Sequence, residues 1–216
     1  MGEASPEAVS LKEIIVVDGG SKDDTVRASQ RFGREEPVDL TVVTAARGRA
    51  QQMNVGADHA SGTLLLFLHA DTHLPRDALT AIARARASAN ACAGTFQLRF
   101  TPETPLLYVY AACTRLPWTR ICFGDRGLFV TRDAFDDVGG FPEWPIFEDL
   151  EIVARLARYG SFEILPTAVT TSSRRFQKNG TLRQQWLNLR LWVRYITGTP
   201  VDQLAEEYGY ADGVRG

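Results

Sequence analysis

The stretch Glu13-Ile14-Ile15-Val16-Val17-Asp18-Gly19-Gly20-Ser21 decides the architecture. Four β-branched residues in succession, closed by Asp-Gly-Gly, read as a buried strand that ends in a tight turn, the form that strands of a parallel sheet take. Downstream, Ser21 with Asp24 has the spacing of a capping box, so a helix is expected from there to about Phe32, with Gly33 as its stop. Leu40–Val43 reads as a second strand. Gly48 to Ala60 sets Ala50, Met53, Ala57 and Ala60 at helical spacing, and Thr63–Leu68 is an apolar strand. Strand, helix, strand, helix, strand is the rhythm of an α/β domain.

The pattern continues along the chain. Ala78–Ala91 predicts a helix, opened by Pro75 and Asp77 and stopped before Gly94. Thr95–Phe100 alternates as a half-buried strand does. Pro105–Trp118 is helical in pattern until Pro117, and Leu128–Val130 is a short strand. Asp133–Val138 predicts one or two helical turns, and Leu150–Tyr159 a helix stopped by Gly160. Phe162–Pro166 and Val169–Thr171 read as two strand pieces, Thr181–Thr197 as an amphipathic helix, and Val201–Tyr208 as a final short one. The expected division is an α/β domain over residues 1–178 with a helical extension, 179–216, packed on it.

Composition bounds the function. The chain has 216 residues, 44% apolar and 23% charged, enough to bury a core and unlike a disordered or fibrous protein. Lys and Arg number 24 against 26 Asp and Glu, a balance that excludes a surface built to coat nucleic acid. Cys92, Cys113 and Cys122 are too few and too scattered for a disulfide framework, which predicts a reducing, cytoplasmic setting. The longest apolar run, Leu64–Leu68, is far shorter than the roughly 20 residues that span a bilayer.

Ligands of an open α/β sheet collect at the carboxyl ends of its strands, which singles out Asp18 with Gly19, Gly20 and Ser21, and Asp71 with His69. Either Asp reads equally well as a turn former or a helix cap. If the ligand carries phosphate, Asp71 suits a divalent cation such as Mg²⁺ or Mn²⁺. His69 and His73 stand at a strand exit with no third soft ligand, so zinc is disfavoured and His69 is at most a weak ligand. Glu148, Asp149 and Glu151 crowd one helix start, where the dipole alone would favour them. Such crowding raises a pKa, so Asp149 or Glu148 is a candidate general base.

From Ile164 to Val201 there is no acidic residue, while Arg174, Arg175, Lys178, Arg183, Arg190 and Arg194 are basic. Arg174 and Arg175 have the paired donors that suit a diphosphate. On the predicted helix over 181–197, Arg183, Arg190 and Arg194 share one face, and Leu182, Trp186, Leu189, Val193 and Ile196 another. An ordinary surface helix packed on the core is the favoured reading, ahead of a helix lying at an anionic membrane surface.

Five segments in order, Val16–Thr25, Gly48–Gly56, Leu66–Thr72, Gly139-Gly140-Phe141 and Glu148-Asp149, resemble family 2 glycosyltransferases of the GT-A fold. Gly124-Asp125-Arg126-Gly127 and Arg174-Arg175-Phe176 are similar to the bacterial branch with arsenosugar- and carotenoid-type members. The resemblance implies a mixed, mainly parallel sheet flanked by helices. It implies transfer of a sugar from a nucleotide-diphosphate donor to an acceptor hydroxyl, usually inverting and metal-assisted. Asp18 would contact the nucleoside, Arg49 and Asn54 would lie near the nucleotide, Asp71 would match the last acid of the metal motif, and Asp149 the base.

Two departures qualify this. His69 stands where many relatives have Asp, and the family's opening βα unit has no counterpart ahead of Glu13–Val17, so the sheet is expected either to be completed from upstream or to close another way. The alternatives are a nucleotide-sugar-binding module without turnover, and a nucleotidyltransferase, disfavoured because its Gly-rich triphosphate loop is not seen. A lipid or carotenoid acceptor and contact with the inner membrane face through 181–197 remain analogies of fold and composition.

Overall fold

A computed structural model describes residues 8–116 and 118–209. The opening run forms strand β1 (Ile14–Asp18), followed by helix α1 (Thr25–Glu35), strand β2 (Leu40–Thr44), helix α2 (Arg49–His59) and strand β3 (Leu64–Phe67). Then come β4 (Thr72–His73), α3 (Ala78–Ala89), β5 (Ala93–Thr101), α4 (Pro105–Cys113), β6 (Leu128–Thr131) and α5 (Arg132–Asp137). The chain ends in α6 (Glu148–Tyr159), β7 (Phe162–Ser172), α7 (Arg174–Asn179), α8 (Thr181–Ile196) and α9 (Val201–Glu207).

The strands form two sheets, and the two longest pairings, β1 with β2 and β5 with β7, are parallel. β1 and β2 form a sheet of their own, and the larger sheet runs β3-β6-β5-β7-β4 with its other pairings antiparallel. Among the described residues, β1 bonds to no strand but β2, and β3 to none but β6.

The larger sheet is packed on both faces. Leu65, Leu128 and Val130 point to a core shared with Ala50 and Ala57 of α2, Phe135 of α5 and Ile152 and Leu156 of α6. Phe96, Leu98 and Phe129 point the other way, to Ile82 of α3 and Leu107 of α4. This alternation follows the two-residue period of a strand. A third cluster fixes the C-terminal helices: Leu191 of α8 and Leu204 of α9 pack on Ile146, Phe147 and Leu150 at the start of α6.

Several boundaries differ from the sequence expectation. Ser21 caps no helix: it lies in the turn, its N–H donating to the Asp18 carboxylate, and α1 begins only at Thr25, whose N–H and hydroxyl both donate to Asp23. Gly33 lies inside α1, where a Cβ would stand 3.0 Å from Leu40 Cβ, so it marks close packing rather than a stop. Helix α3 ends on Asn90 in the left-handed conformation, and Gly94 belongs to β5 because a Cβ there would fall 2.2 Å from the Glu163 carbonyl oxygen.

β5 is the middle strand of the larger sheet, so its first four residues are buried instead of alternating. The two pieces around Pro166 are one strand, β7, whose register shifts opposite Thr95 and Gln97, and a proline is tolerated at such an irregularity. The segment with Arg174 and Arg175, to which the sequence reading assigned no strand or helix, is the short helix α7. Pro117 lies outside the described residues.

Candidate active site

Asp18 closes β1, and its carboxylate turns back on its own loop, accepting N–H bonds from Gly20 (3.0 Å) and Ser21 (3.1 Å). Hydrogen bonds from Ser21, by side chain and backbone, and then from Gly20 hold its pKa below the ordinary carboxylate value. The turn is tied to α2, since Gln52 Nε2 donates to the Val17 carbonyl at 3.1 Å.

The first turn of α2 also reaches the start of α6. Arg49 Nε stands 2.9 Å from Glu148 Oε1, and the Glu148 side chain is only 1% exposed. Burial first, and the neighbouring Asp149 carboxylate second, push the Glu148 pKa up to about 7, while Arg49 pulls it down. The group raised by the crowding of acids is therefore Glu148, which is buried against Arg49.

One turn further along α2, the Asn54 carboxamide is a clamp. It donates to the Phe141 carbonyl at 2.8 Å and accepts from the Phe141 N–H at 2.9 Å. Gly139 and Gly140, with φ of 79° and 65°, bend the chain so that Phe141 can meet it. The structure thus gives Asn54 a local role, holding the loop that leads to α6.

Asp149, beside Glu148, is 8% exposed and sits at the N-terminal end of α6, where the helix dipole favours an anion. Its Oδ2 accepts from the Gly124 N–H and its Oδ1 from the Leu150 N–H. Gly124 is wedged tightly: a Cβ there would lie 2.9 Å from His69 Nε2 and 3.2 Å from Asp149 Oδ2. His69, at the exit of β3, and Asp149, at the entry of α6, therefore face one cleft, whose wall includes Met53, Thr95, Cys122 and Phe141. Its enclosed part is about 40 Å³, room for a water molecule or a hydroxyl group. A larger ligand has to lie across the mouth.

The mouth carries the other acids. Asp125 Oδ1 is 4.0 Å from His69 Nε2, and 49% of the Asp125 side chain is open. Burial of its surroundings, with Asp149 and Asp71, pushes its pKa up, His69 and Arg49 oppose this, and the open half lets water offset much of the rise. Asp71 is exposed on the turn after β3. Thr72 pairs with Thr171, which lays that turn beside the segment leading into Arg174. Arg174 is exposed and bonds locally, from N and Nε to Ser172 Oγ. The side chain of Arg175 lies outside the described residues. Among the described residues, no three of His, Cys, Asp and Glu converge as metal ligands.

The sequence reading gave no role to Gly124, Asp125 or Arg126 beyond the resemblance they carry. The signal was there: two polar residues between glycines, just ahead of β6. Arg126 is 1% exposed and anchors this turn, with Nε on the Phe96 carbonyl and Nη2 on the Thr114 carbonyl, both 2.8 Å, and Nη1 3.1 Å from Cys122 Sγ. Burial pulls its pKa down.

Comparison with known proteins gives the following. The family model described as Glycosyl transferase family 2 matches residues 8–141, a span that includes Asp18, His69, Asp71 and Gly124 and ends before Asp149. No curated protein matches the sequence. Among solved structures, S. aureus TarS 1–349 in complex with UDP-GlcNAc superposes with a TM-score of 0.60 at 16% identity, over 74% of this chain and 49% of that one. The mannosyltransferase PcManGT from Pyrobaculum calidifontis, in complex with GDP-Man and Mn²⁺, gives 0.63 at 22% identity, over 89% and 57%. GalNAc-T7 with UDP, GalNAc and Mn²⁺ gives 0.57 at 14%, over 75% and 38%. This chain thus spans about half the length of the first two, and the likeness is one of fold.

Proposed function

The chain belongs to glycosyl transferase family 2, and from that premise we propose that it moves a sugar from a nucleotide-diphosphate donor to an acceptor hydroxyl, with Asp149 as the base. The observation that carries this reading is the convergence of Asp149, Gly124 and His69 on one cleft between the β3 exit and the α6 start. Asp149 is the acid that lines the cleft; Glu148 is buried against Arg49 and serves to place it.

The small enclosed volume suits the acceptor hydroxyl, and the open mouth suits the donor. The hydroxyl oxygen attacks the anomeric carbon, its proton passes to an Asp149 carboxylate oxygen, and the bond to the diphosphate oxygen breaks on the opposite face, which inverts the centre. Arg49 is a cation this chain offers to the departing diphosphate, and exposed Arg174, just after the strand that pairs with the Thr72 turn, is a second candidate. A divalent cation such as Mg²⁺ or Mn²⁺ would take Asp71, with His69 beside it, from the chain and its remaining ligands from donor phosphates and water. When bound, it would offset charge on the leaving group. The Asp18 turn, joined to the same α2 end through Gln52, is where the nucleoside would lie.

The test is release of nucleoside diphosphate from UDP-, GDP- and dTDP-sugars with Mn²⁺ or with chelator, alongside thermal shifts. One donor is expected to raise Tm and to be consumed. Asp149→Asn is expected to lower turnover by roughly 10²–10⁴-fold while the donor-induced Tm rise persists. A Tm rise without any turnover would leave a binding module, and full turnover by Asp149→Asn would remove the base assignment.

A further inference from the structure

Helix α8 carries apolar side chains on two opposite faces. At 100° per residue, Gln184, Leu187, Leu191 and Tyr195 share one side, and Leu182, Trp186, Leu189, Val193 and Ile196 the other. The first side is the packed one: Gln184 and Leu191 are 2% and 1% exposed, and Leu191 meets Phe147, Leu150 and Leu204. The second is open, with Leu182 at 77%, Trp186 at 69%, Leu189 at 50%, Ile196 at 47% and Val193 at 42%. The stripe that the sequence assigned to the core is the one that faces water. A continuous run of large apolar side chains on an exposed helix marks an interaction surface.

The charge around the stripe identifies the partner. No acidic residue occurs from Ile164 through Val201. Arg183 is exposed beside the stripe, with Arg190 and Arg194 following on the same flank; Glu207 of α9 pairs with both of the latter, so the flank stays positive. The indole N–H of Trp192 donates to the Arg120 carbonyl, which binds the segment with exposed Arg115, Trp118 and Arg120 to this helix. A second copy docked antiparallel by two-fold symmetry would set the arginine flank beside itself. Among the described residues no helix is long and apolar enough to cross a membrane.

We propose that α8 docks in the plane of an anionic lipid surface, its Leu182-Trp186-Leu189-Val193-Ile196 face entering the acyl boundary and its arginines meeting headgroup phosphates. The proposal does not rest on the sugar-transfer reading, and its test measures no turnover. The full chain is sedimented with vesicles of phosphatidylcholine alone or mixed with phosphatidylglycerol, at low and high salt. Binding is expected to the anionic vesicles and to weaken with salt. Trp186→Ser is expected to weaken it about tenfold or more, and Arg183→Gln about fivefold. Both side chains are exposed, so Tm and circular dichroism are expected to stay unchanged.

Absence of binding at low salt, or equal binding to neutral and anionic vesicles, would overturn the proposal. So would binding indifferent to Trp186→Ser. A dimer in sedimentation velocity that Trp186→Ser abolishes, without vesicle binding, would assign the face to a second copy instead.

Discussion

At the residue scale, two buried ionisable groups in the site behave differently because their partners differ. Arg126 is satisfied by two backbone carbonyls and a thiol, so its charge is spread over fixed dipoles. Arg126→Leu strands the Phe96 and Thr114 carbonyls, and a loss of about 2 kcal/mol or more is expected in denaturant unfolding. Glu148 is close to Arg49, but among the described residues neither of its oxygens accepts a hydrogen bond of good geometry, and its pKa is raised from 4.5 to about 7. Between those two values the unfolded chain has released the proton and the folded chain keeps it, so rising pH favours unfolding. The stability contributed by Glu148 is therefore greatest below pH about 4.5 and has been lost above about 7. Glu148→Gln removes the titration, so the Tm of the variant relative to the parent is expected to climb across that window; a flat difference would contradict the assignment.

At the element scale, the site depends on two joints whose chemistry is local and whose partners are distant in the chain. The first is the Asn54 clamp between α2 and the Gly139-Gly140-Phe141 bend. Asn54→Ala leaves a backbone donor and an acceptor without their partners, at an expected cost of about 1–3 kcal/mol in chemical denaturation. The second is the Gly124 wedge. In Gly124→Ala the new methyl would meet His69 Nε2 at 2.9 Å and Asp149 Oδ2 at 3.2 Å, so one of them must move. The expected outcome is a fall in kcat of about 10-fold or more, since small misplacement of reacting groups is costly, with donor-induced Tm shifts retained. Unchanged turnover would show that His69 and Asp149 are not held in register by this turn.

At the scale of the whole molecule, the C-terminal helices pack against the start of α6, where one residue is strained. Phe147, immediately before Glu148 and Asp149, has φ of 63°, a left-handed conformation that is rare for a bulky side chain. Its ring is buried and stacks on Tyr195 of α8 at 4.7 Å between centroids. Tyr195→Ala removes that support, and the expected result is lower turnover together with a Tm decrease; Tyr195→Phe is expected to restore turnover, because the ring makes the contact with Phe147, and most of the Tm, short of what the hydroxyl's bond to Glu151 contributes.

The amino-acid sequence by itself determined the order of the main strands and helices, β4 and α7 apart, and the positions of Asp18, His69, Asp71 and Asp149 at strand exits and a helix start. It did so because alternation, β-branched runs and helix-dipole preferences act over a few neighbouring residues. Tertiary structure alone decided which acid lines the cleft, that Asn54 is a clamp, that Gly33 and Gly94 mark close packing, and that Arg126 anchors the Gly124 turn. These depend on what approaches from far along the chain, and residue spacing carries no record of it. The same holds for α8, whose two apolar faces are nearly equivalent in sequence: contact with Phe147, Leu150 and Leu204 chose the face that is buried and left the other to water.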